Sequence, residues 1–276
     1  MRMTELPVQL DPARVPSPCY VVDTQALEKN LEVLSYVQQE SGAKILLALK
    51  AFAMHALFPR IRRHLAGICA SGPWEAQLGR EEFCLDGHEV HTFSPAYSQQ
   101  DMQVALRLSD HVVCNSWQQW QMLRELAQQN PEIAGQVDFG IRVNPEHSEG
   151  QVPLYDPCAP YSRLGITEGG LRRALKQDAA GLDGLSGLHF HTLCEQGADA
   201  LQRTLVAVEE RFGDIIEGMQ WLNLGGGHHI TRPGYDLDLL IDLVRGLRQR
   251  YKVQVYLEPG EAIAINTGVL ICTVLD

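Results

Sequence analysis

An α/β fold in the form of a (β/α)8 barrel is what the sequence predicts, on two observations. Eight short apolar, β-branched-rich runs stand at Ile45–Leu49, Ala66–Ala70, Glu89–Phe93, His111–Cys114, Val137–Val143, Leu185–Phe190, Gln220–Leu224 and Val253–Leu257. The segments between them are of helix length, and Leu201, Leu205, Val208 and Phe212 fall on one helical face, as do Leu239, Leu240, Leu243 and Leu247. Strand and helix alternating in this way fit a parallel barrel, and the span has the usual size of one. A doubly wound open sheet is the competing arrangement of the same alternation.

The flanks carry elements with no place in the barrel. Ahead of the first run, in "PSPCYVVDTQALEKNLEVLSYVQQ", Cys19 to Val22 reads as a strand and Asp23 or Thr24 as a helix cap, followed by an apolar stripe of Leu27, Leu31, Leu34 and Val37. After the eighth run, in "EPGEAIAINTGVLICTVLD", Ala262 to Ile265 and Val269 to Leu275 read as two more strands. These pieces define the expected domain division: a barrel over 24–262, with 1–23 and 263–276 belonging to a second, β-rich domain whose remainder is missing, as in a chain truncated at its C-terminus. Between the fifth and sixth runs, Asn144 to Gly184 is expected to be an extended loop over the barrel mouth.

Composition narrows the function. The chain has 276 residues, 45% of them hydrophobic, and a formal charge of −11. A surface of that sign repels phosphates and excludes a general nucleic-acid binder, while favouring cationic small molecules. The N-terminal "MRMTELPVQLDPARVP" has no apolar core of signal-peptide length, and no run approaches the roughly 20 apolar residues of a membrane span. A cytoplasmic location is the expectation. Seven cysteines, Cys19, Cys69, Cys84, Cys114, Cys158, Cys194 and Cys272, are scattered and never paired as CxxC, which supports neither a disulfide framework nor a zinc site.

Barrel chemistry sits at the C-terminal ends of the strands. Lys50 follows the first run, Ser71 and Glu75 the second, Arg142 and Asn144 the fifth, His191 the sixth, Gly225 to Gly227 the seventh and Glu258 the eighth. Each has a plain reading: a solvated lysine, a bare glycine turn, an exposed carboxylate, an Arg142–Glu75 ion pair, loop chemistry at Ser162 and Arg163. Together they describe a site for an anionic, aromatic cofactor held covalently. A desolvated lysine amine condenses with carbonyls. Three glycines let backbone N–H groups approach a phosphate, and a carboxylate can pair with a protonated pyridine nitrogen. His189 and His191 share one strand face; His189 reads as a core histidine and His191 as a ring stacked on the cofactor. A metal-binding HxH pair is the alternative, although only His228 and His229 are available to complete it.

Lys50 in "LLALKA", His191 in "GLHFH", Gly225 to Gly227 in "NLGGG" and Glu258 in "LEPGE" together resemble the fold-type III pyridoxal-phosphate decarboxylases. The wording "PCYVVD", "GICASGPWEAQLG", "FSPAYS", "RVNPE", "SRLGI", "LHFHTLCEQ" and "LEPGEA" is most similar to the carboxynorspermidine/carboxyspermidine decarboxylase branch. The resemblance covers nearly the whole chain. It implies pyridoxal 5'-phosphate on Lys50, His191 stacked on its ring, Gly225, Gly226 and Gly227 at the phosphate, and Glu258 at the pyridine nitrogen. Arg142 and Glu75 match the family's mouth arginine and second-strand carboxylate. Catalytic roles fall to Lys50, His191 and Glu258; no metal is implied.

Related ornithine and diaminopimelate enzymes carry a serine where Cys194 stands and an arginine where Glu261 stands, so Cys194 and Glu261 are assigned to the substrate instead. A homodimer with active sites at the interface, a carboxylated polyamine as substrate, norspermidine or spermidine as product, and a place in polyamine biosynthesis complete the expectation. The alternatives are a diaminopimelate or other basic amino-acid decarboxylase, a metal-dependent barrel hydrolase using His189 and His191, and a non-enzymatic cofactor carrier.

Overall fold

The computed structural model describes residues 10–276 apart from 86, 151 and 179. Within them a strand β1 (Cys19–Val22) leads into helix α1 (Thr24–Ser41), and the alternating elements follow: β2 (Lys44–Ala48), α2 (Phe58–Ile61), β3 (Gly67–Ala70), α3 (Pro73–Leu78), β4 (Glu89–Phe93), α4 (Gln99–Leu108), β5 (His111–Cys114), α5 (Trp117–Gln129), α6 (Pro131–Ala134) and β6 (Asp138–Asn144). The second half comprises β7 (Ile166–Thr167), α7 (Glu168–Gln177), β8 (Gly187–His189), α8 (Ala198–Ile216), β9 (Trp221–Asn223), α9 (Leu237–Tyr251), β10 (Gln254–Leu257), α10 (Glu261–Ala264) and β11 (Gly268–Ile271).

Strands β5, β4, β3, β2, β10, β9, β8 and β6 pair in parallel in that order, and β5–β6 pairing closes the ring. These are the eight runs read from the sequence, and the closed ring rules out the open sheet. Inner positions alternate with outer ones. The inner residues stack from floor to mouth: Lys44 and Glu89 at the floor, then His91, His111, Trp221 and Tyr256 packed ring on ring, then Phe93, Arg142 and His189 higher up. Trp221 fills the barrel because two strands give way to it: a Cβ at Gly140 or Gly187 would come within 2.2 or 2.0 Å of its indole.

Helix α1 shows how local sequence sets position. Asp23 accepts hydrogen bonds from the N–H groups of Gln25 and Ala26 at its start, and Gly42, in the left-handed region at φ 72°, ends it. Its stripe of Leu27, Leu31, Leu34 and Val37 is fully buried, each side chain contributing about 2 kcal/mol of transfer free energy. The helix packs on α9 and α10. Asn30 donates to the carbonyls of Ile263 and Ile265, binding α1 to the segment beyond the last barrel strand.

Three expectations are corrected. Ala262 to Ile265 is no strand: Ile263 N donates to Gly260 O and Ile265 N to Glu261 O, so the run forms one helical turn. A four-residue apolar run carries too little periodicity to separate the two. The stretch from Asn144 to Gly184 is not all loop. Thr167 caps α7 through Gly170 N, and β7 pairs in parallel with β6, so the loop gives way at Ile166 to a strand and a helix. The last strand stops at Ile271 instead of reaching Leu275, and β11 pairs antiparallel with β1, Cys19 opposite Ile271. This two-stranded sheet stands apart from the barrel, in agreement with the sequence placing both strands outside it. Residues 1–9 of the predicted 1–23 segment lie outside the described residues. No helix among the described residues is long and apolar enough to cross a membrane.

Candidate active site

Lys50 stands in the turn that leaves β2, with Ala51 and Phe52 N–H both donating to Ala48 O. The loop after β10 lies directly against this turn: Ala48 N donates to Pro259 O, and a Cβ on Gly260 would come within 2.3 Å of Ala51 Cβ. The Lys50 side chain is solvent-exposed at the mouth. Its charge acts on the Cys69 thiol and the His191 ring.

Glu258, one residue past β10, is 9% exposed. Its Oε1 accepts from Asn223 Nδ2 at 2.7 Å and its Oε2 lies 3.3 Å from His189 Nε2. Burial pushes this carboxyl up, but His189 and Asn223 outweigh it and hold it below the usual carboxylate range. Burial also lowers His189. A neutral imidazole donating Nε2–H to an ionised carboxylate satisfies both.

The glycine loop after β9 completes the rim. Gly225 and Gly227 have φ of 69° and 82°, where only glycine is at ease, and a Cβ on either would strike the Phe190 or Leu193 carbonyl at 2.5 or 2.0 Å. Gly225 N donates to Asn223 Oδ1, whereas the N–H groups of Gly226 and Gly227 have no acceptor among the described residues. A Cβ on Gly226 would sit 3.3 Å from His191 Cε1 and 2.6 Å from Glu258 O. The loop, the histidine and the carboxylate strand are thus in one place.

His191 is half-buried, and burial, with the Arg142 charge beside it, pushes it down to about 3. It is neutral at physiological pH. Arg142 is buried within β6, donates to His191 O at 3.0 Å, and lies over the Phe93 ring at 4.8 Å. Burial lowers it to about 10, which leaves it cationic. Glu75 turns back on its own loop, accepting from Ser71 N at 2.7 Å and Ser71 Oγ at 2.8 Å. Glu261 pairs with His229 at 3.0 Å, near Glu195. Cys194 is exposed, its N–H on Gln196 Oε1. Ser162 and Arg163 sit on the arm over the mouth, fixed by Asn115, which donates to Arg163 O and accepts from Gly165 N.

Sequence reasoning assigned His189 to the core and missed it as the partner of Glu258; it also passed over Asn223, which donates to the other Glu258 oxygen. Period two already placed His189 on the inner face, one residue-pair below His191, and that was the available signal. The hydrolase alternative loses its footing here. His189 is committed to Glu258 and stacks on Phe93 at 5.3 Å, and the HxH pair does not gather a third metal-ligand side chain among the described residues.

A parallel barrel with a lysine, a buried carboxylate and a glycine loop at its mouth is the fold of the barrel decarboxylases, and solved structures agree. Carboxynorspermidine decarboxylase from Campylobacter jejuni, complexed with norspermidine, superposes with a TM-score of 0.79 at 39% identity, over 95% of this chain and 64% of that one. A mutant of SrLDC in complex with PLP gives 0.72 at 17% identity, over 98% and 69%, a likeness of fold alone. No family model matches the chain. Among curated proteins, carboxynorspermidine/carboxyspermidine decarboxylases from Campylobacter jejuni and Herminiimonas arsenicoxydans are 41% and 36% identical over 95% of this chain, which covers 65% and 68% of theirs. Carboxyaminopropylagmatine decarboxylase from a Synechocystis species is 40% identical over the same share, covering 64%. The chain belongs to the carboxynorspermidine/carboxyspermidine decarboxylase family, and spans roughly two thirds of the length of these relatives.

Proposed function

We propose that this chain carries the cofactor site of a pyridoxal-phosphate-dependent decarboxylase that converts carboxynorspermidine or carboxyspermidine to norspermidine or spermidine and carbon dioxide. The observation that carries the reading is the meeting of Glu258, His191 and the Gly225–Gly227 loop beside the Lys50 turn.

The residues fit the cofactor. The acceptor-free N–H groups of Gly226 and Gly227 suit a phosphate, and any side chain on Gly226 would fill the space against His191. Pyridoxal 5'-phosphate, when bound, supplies a carbonyl carbon that condenses with an amine and a ring that accepts the electron pair left by departing carbon dioxide. Lys50 Nζ is the amine that would hold it. Glu258, held ionised by His189 and Asn223, would keep a proton on the ring nitrogen. His191, being neutral, would lie against a cationic ring without repulsion. Arg142 on β6 and Glu75 on α3 would bound the cofactor on those sides.

The substrate is a carboxylated polycation. Glu261, with Glu195 beside it, is a carboxylate suited to a distal ammonium, and Cys194 stands at the same rim. Trp74, in the first turn of α3, is 84% exposed and Tyr161, in the loop before β7, fully exposed, which supports a homodimer with the active site at its interface. The enzyme acts in the cytoplasm, in polyamine biosynthesis.

The test is carbon dioxide release from carboxynorspermidine, carboxyspermidine, carboxyaminopropylagmatine and meso-diaminopimelate, with cofactor added. A carboxylated polyamine should be preferred over diaminopimelate by at least about 100-fold in kcat/KM, the discrimination that about 1–3 kcal/mol of differential transition-state binding gives. Preference for diaminopimelate overturns the reading.

A further inference from the structure

The barrel floor, at the opposite end from the mouth, holds a second cluster that this chemistry does not use. His91 and His111 are 1% and 5% exposed and stack at 3.9 Å between centroids, 12° from parallel. His91 Nε2 lies 3.2 Å from Glu89 Oε2, and His111 Nε2 3.9 Å from Asp138 Oδ2. Neither Nδ1 has a hydrogen-bond partner among the described residues. Buried imidazoles placed for packing alone would ordinarily have their nitrogens satisfied.

We propose that Glu89, His91 and His111, with Asp138 as fourth ligand, form a divalent-cation site at the barrel floor. The donor atoms of the first three lie within 4.8 Å of one another. A tetrahedral ion with bonds of about 2.0–2.1 Å sets its ligand atoms roughly 3.4 Å apart, so the site closes by about an ångström as the two rings tilt toward each other. Two imidazoles and two carboxylates suit zinc and its late first-row neighbours over magnesium or calcium. Lys44 holds Glu89 Oε1 at 2.5 Å, fixing the carboxylate as outer partners of metal ligands do, and the ion would take the place of the present contact between Oε2 and His91 Nε2. Asp138 and Lys44 side chains are 48% and 40% exposed, so the floor is open to an entering ion. The ion would tie β4, β5 and β6 together, including the pair whose contact closes the ring.

The test is calorimetric titration of the chelator-treated full chain with zinc chloride, with the melting temperature followed in parallel. One saturable site per chain is expected, with a rise in melting temperature that scales with the logarithm of zinc concentration. Glu89→Gln, which keeps the contacts to Lys44 and His91 and should fold, is expected to weaken binding at least about tenfold, and His111→Gln more. His229→Gln, in the separate carboxylate–histidine group at the mouth, should leave it unchanged. Absence of saturable binding to 1 mM (roughly the weakest specific affinity of interest) overturns the proposal. So does zinc binding that Glu89→Gln and His111→Gln leave intact, or that His229→Gln abolishes.

Discussion

His189 Nε2 approaches Glu258 Oε2 to 3.3 Å inside the barrel, and this contact, with Asn223 on the other oxygen, fixes a buried carboxylate in its ionised form. His189 is a positioning residue for Glu258. Replacing it with Ala should lower kcat about 10–100-fold, as loss of an orienting partner does, and raise the pH at which the acid limb of the rate profile falls. His189→Asn, which can still donate, should recover part of the loss. An unmoved acid limb in the alanine variant would show that Glu258 does not depend on this contact.

The glycine loop is expected to fail on the backbone before the side chain. Gly227→Ala places a Cβ 2.0 Å from the Leu193 carbonyl at a φ of 82°, a strain of about 1–3 kcal/mol. Weaker cofactor binding, with the barrel's far-ultraviolet spectrum intact, is the expected result. Equal affinity in the variant would remove the loop from the phosphate site.

Trp221 tests the barrel interior. Gly140→Ala drives a methyl to within 2.2 Å of the indole and should cost about 1–3 kcal/mol by overpacking. Urea unfolding measures it, and the midpoint should fall without a change in slope.

Acid should weaken the fold from just below neutrality. Burial pushes His228 down to about 4 from its ordinary 6.5, so below pH 6.5 the unfolded chain takes a proton that the folded chain refuses. Stability is therefore full above 6.5 and lost as pH falls toward 4, by roughly 3 kcal/mol for a group so buried. The depressed Glu258 carboxyl acts in the same sense lower down: its contribution is present above 4.5 and lost as pH falls beneath it. Urea midpoints between pH 7 and 4 should decline steadily, and less steeply in His228→Gln. A flat profile contradicts this.

The eight barrel strands were legible because strands buried on both faces are continuous apolar runs, and the mouth residues followed from where each run ends. The rest depended on contacts that a linear chain does not display. Thr167, Glu168 and the polar helix behind them sit next to a proline-rich loop and share its composition, so α7 was read as more loop. Ala262 to Ile265 is apolar enough for a strand and too short to reveal its helical turn. His91 stands two residues from Glu89 on β4, but the stacking of His91 on His111 and the approach of His189 to Glu258 are contacts between strands that a linear chain does not display.

The most direct measurement is borohydride reduction of the chain after addition of pyridoxal phosphate, followed by peptide mapping. A single reduced cofactor group on the peptide containing Lys50, absent in Lys50→Ala, is the predicted result. Stoichiometric label on another lysine, or none under saturating cofactor, would contradict the assignment of this barrel mouth as a pyridoxal-phosphate site.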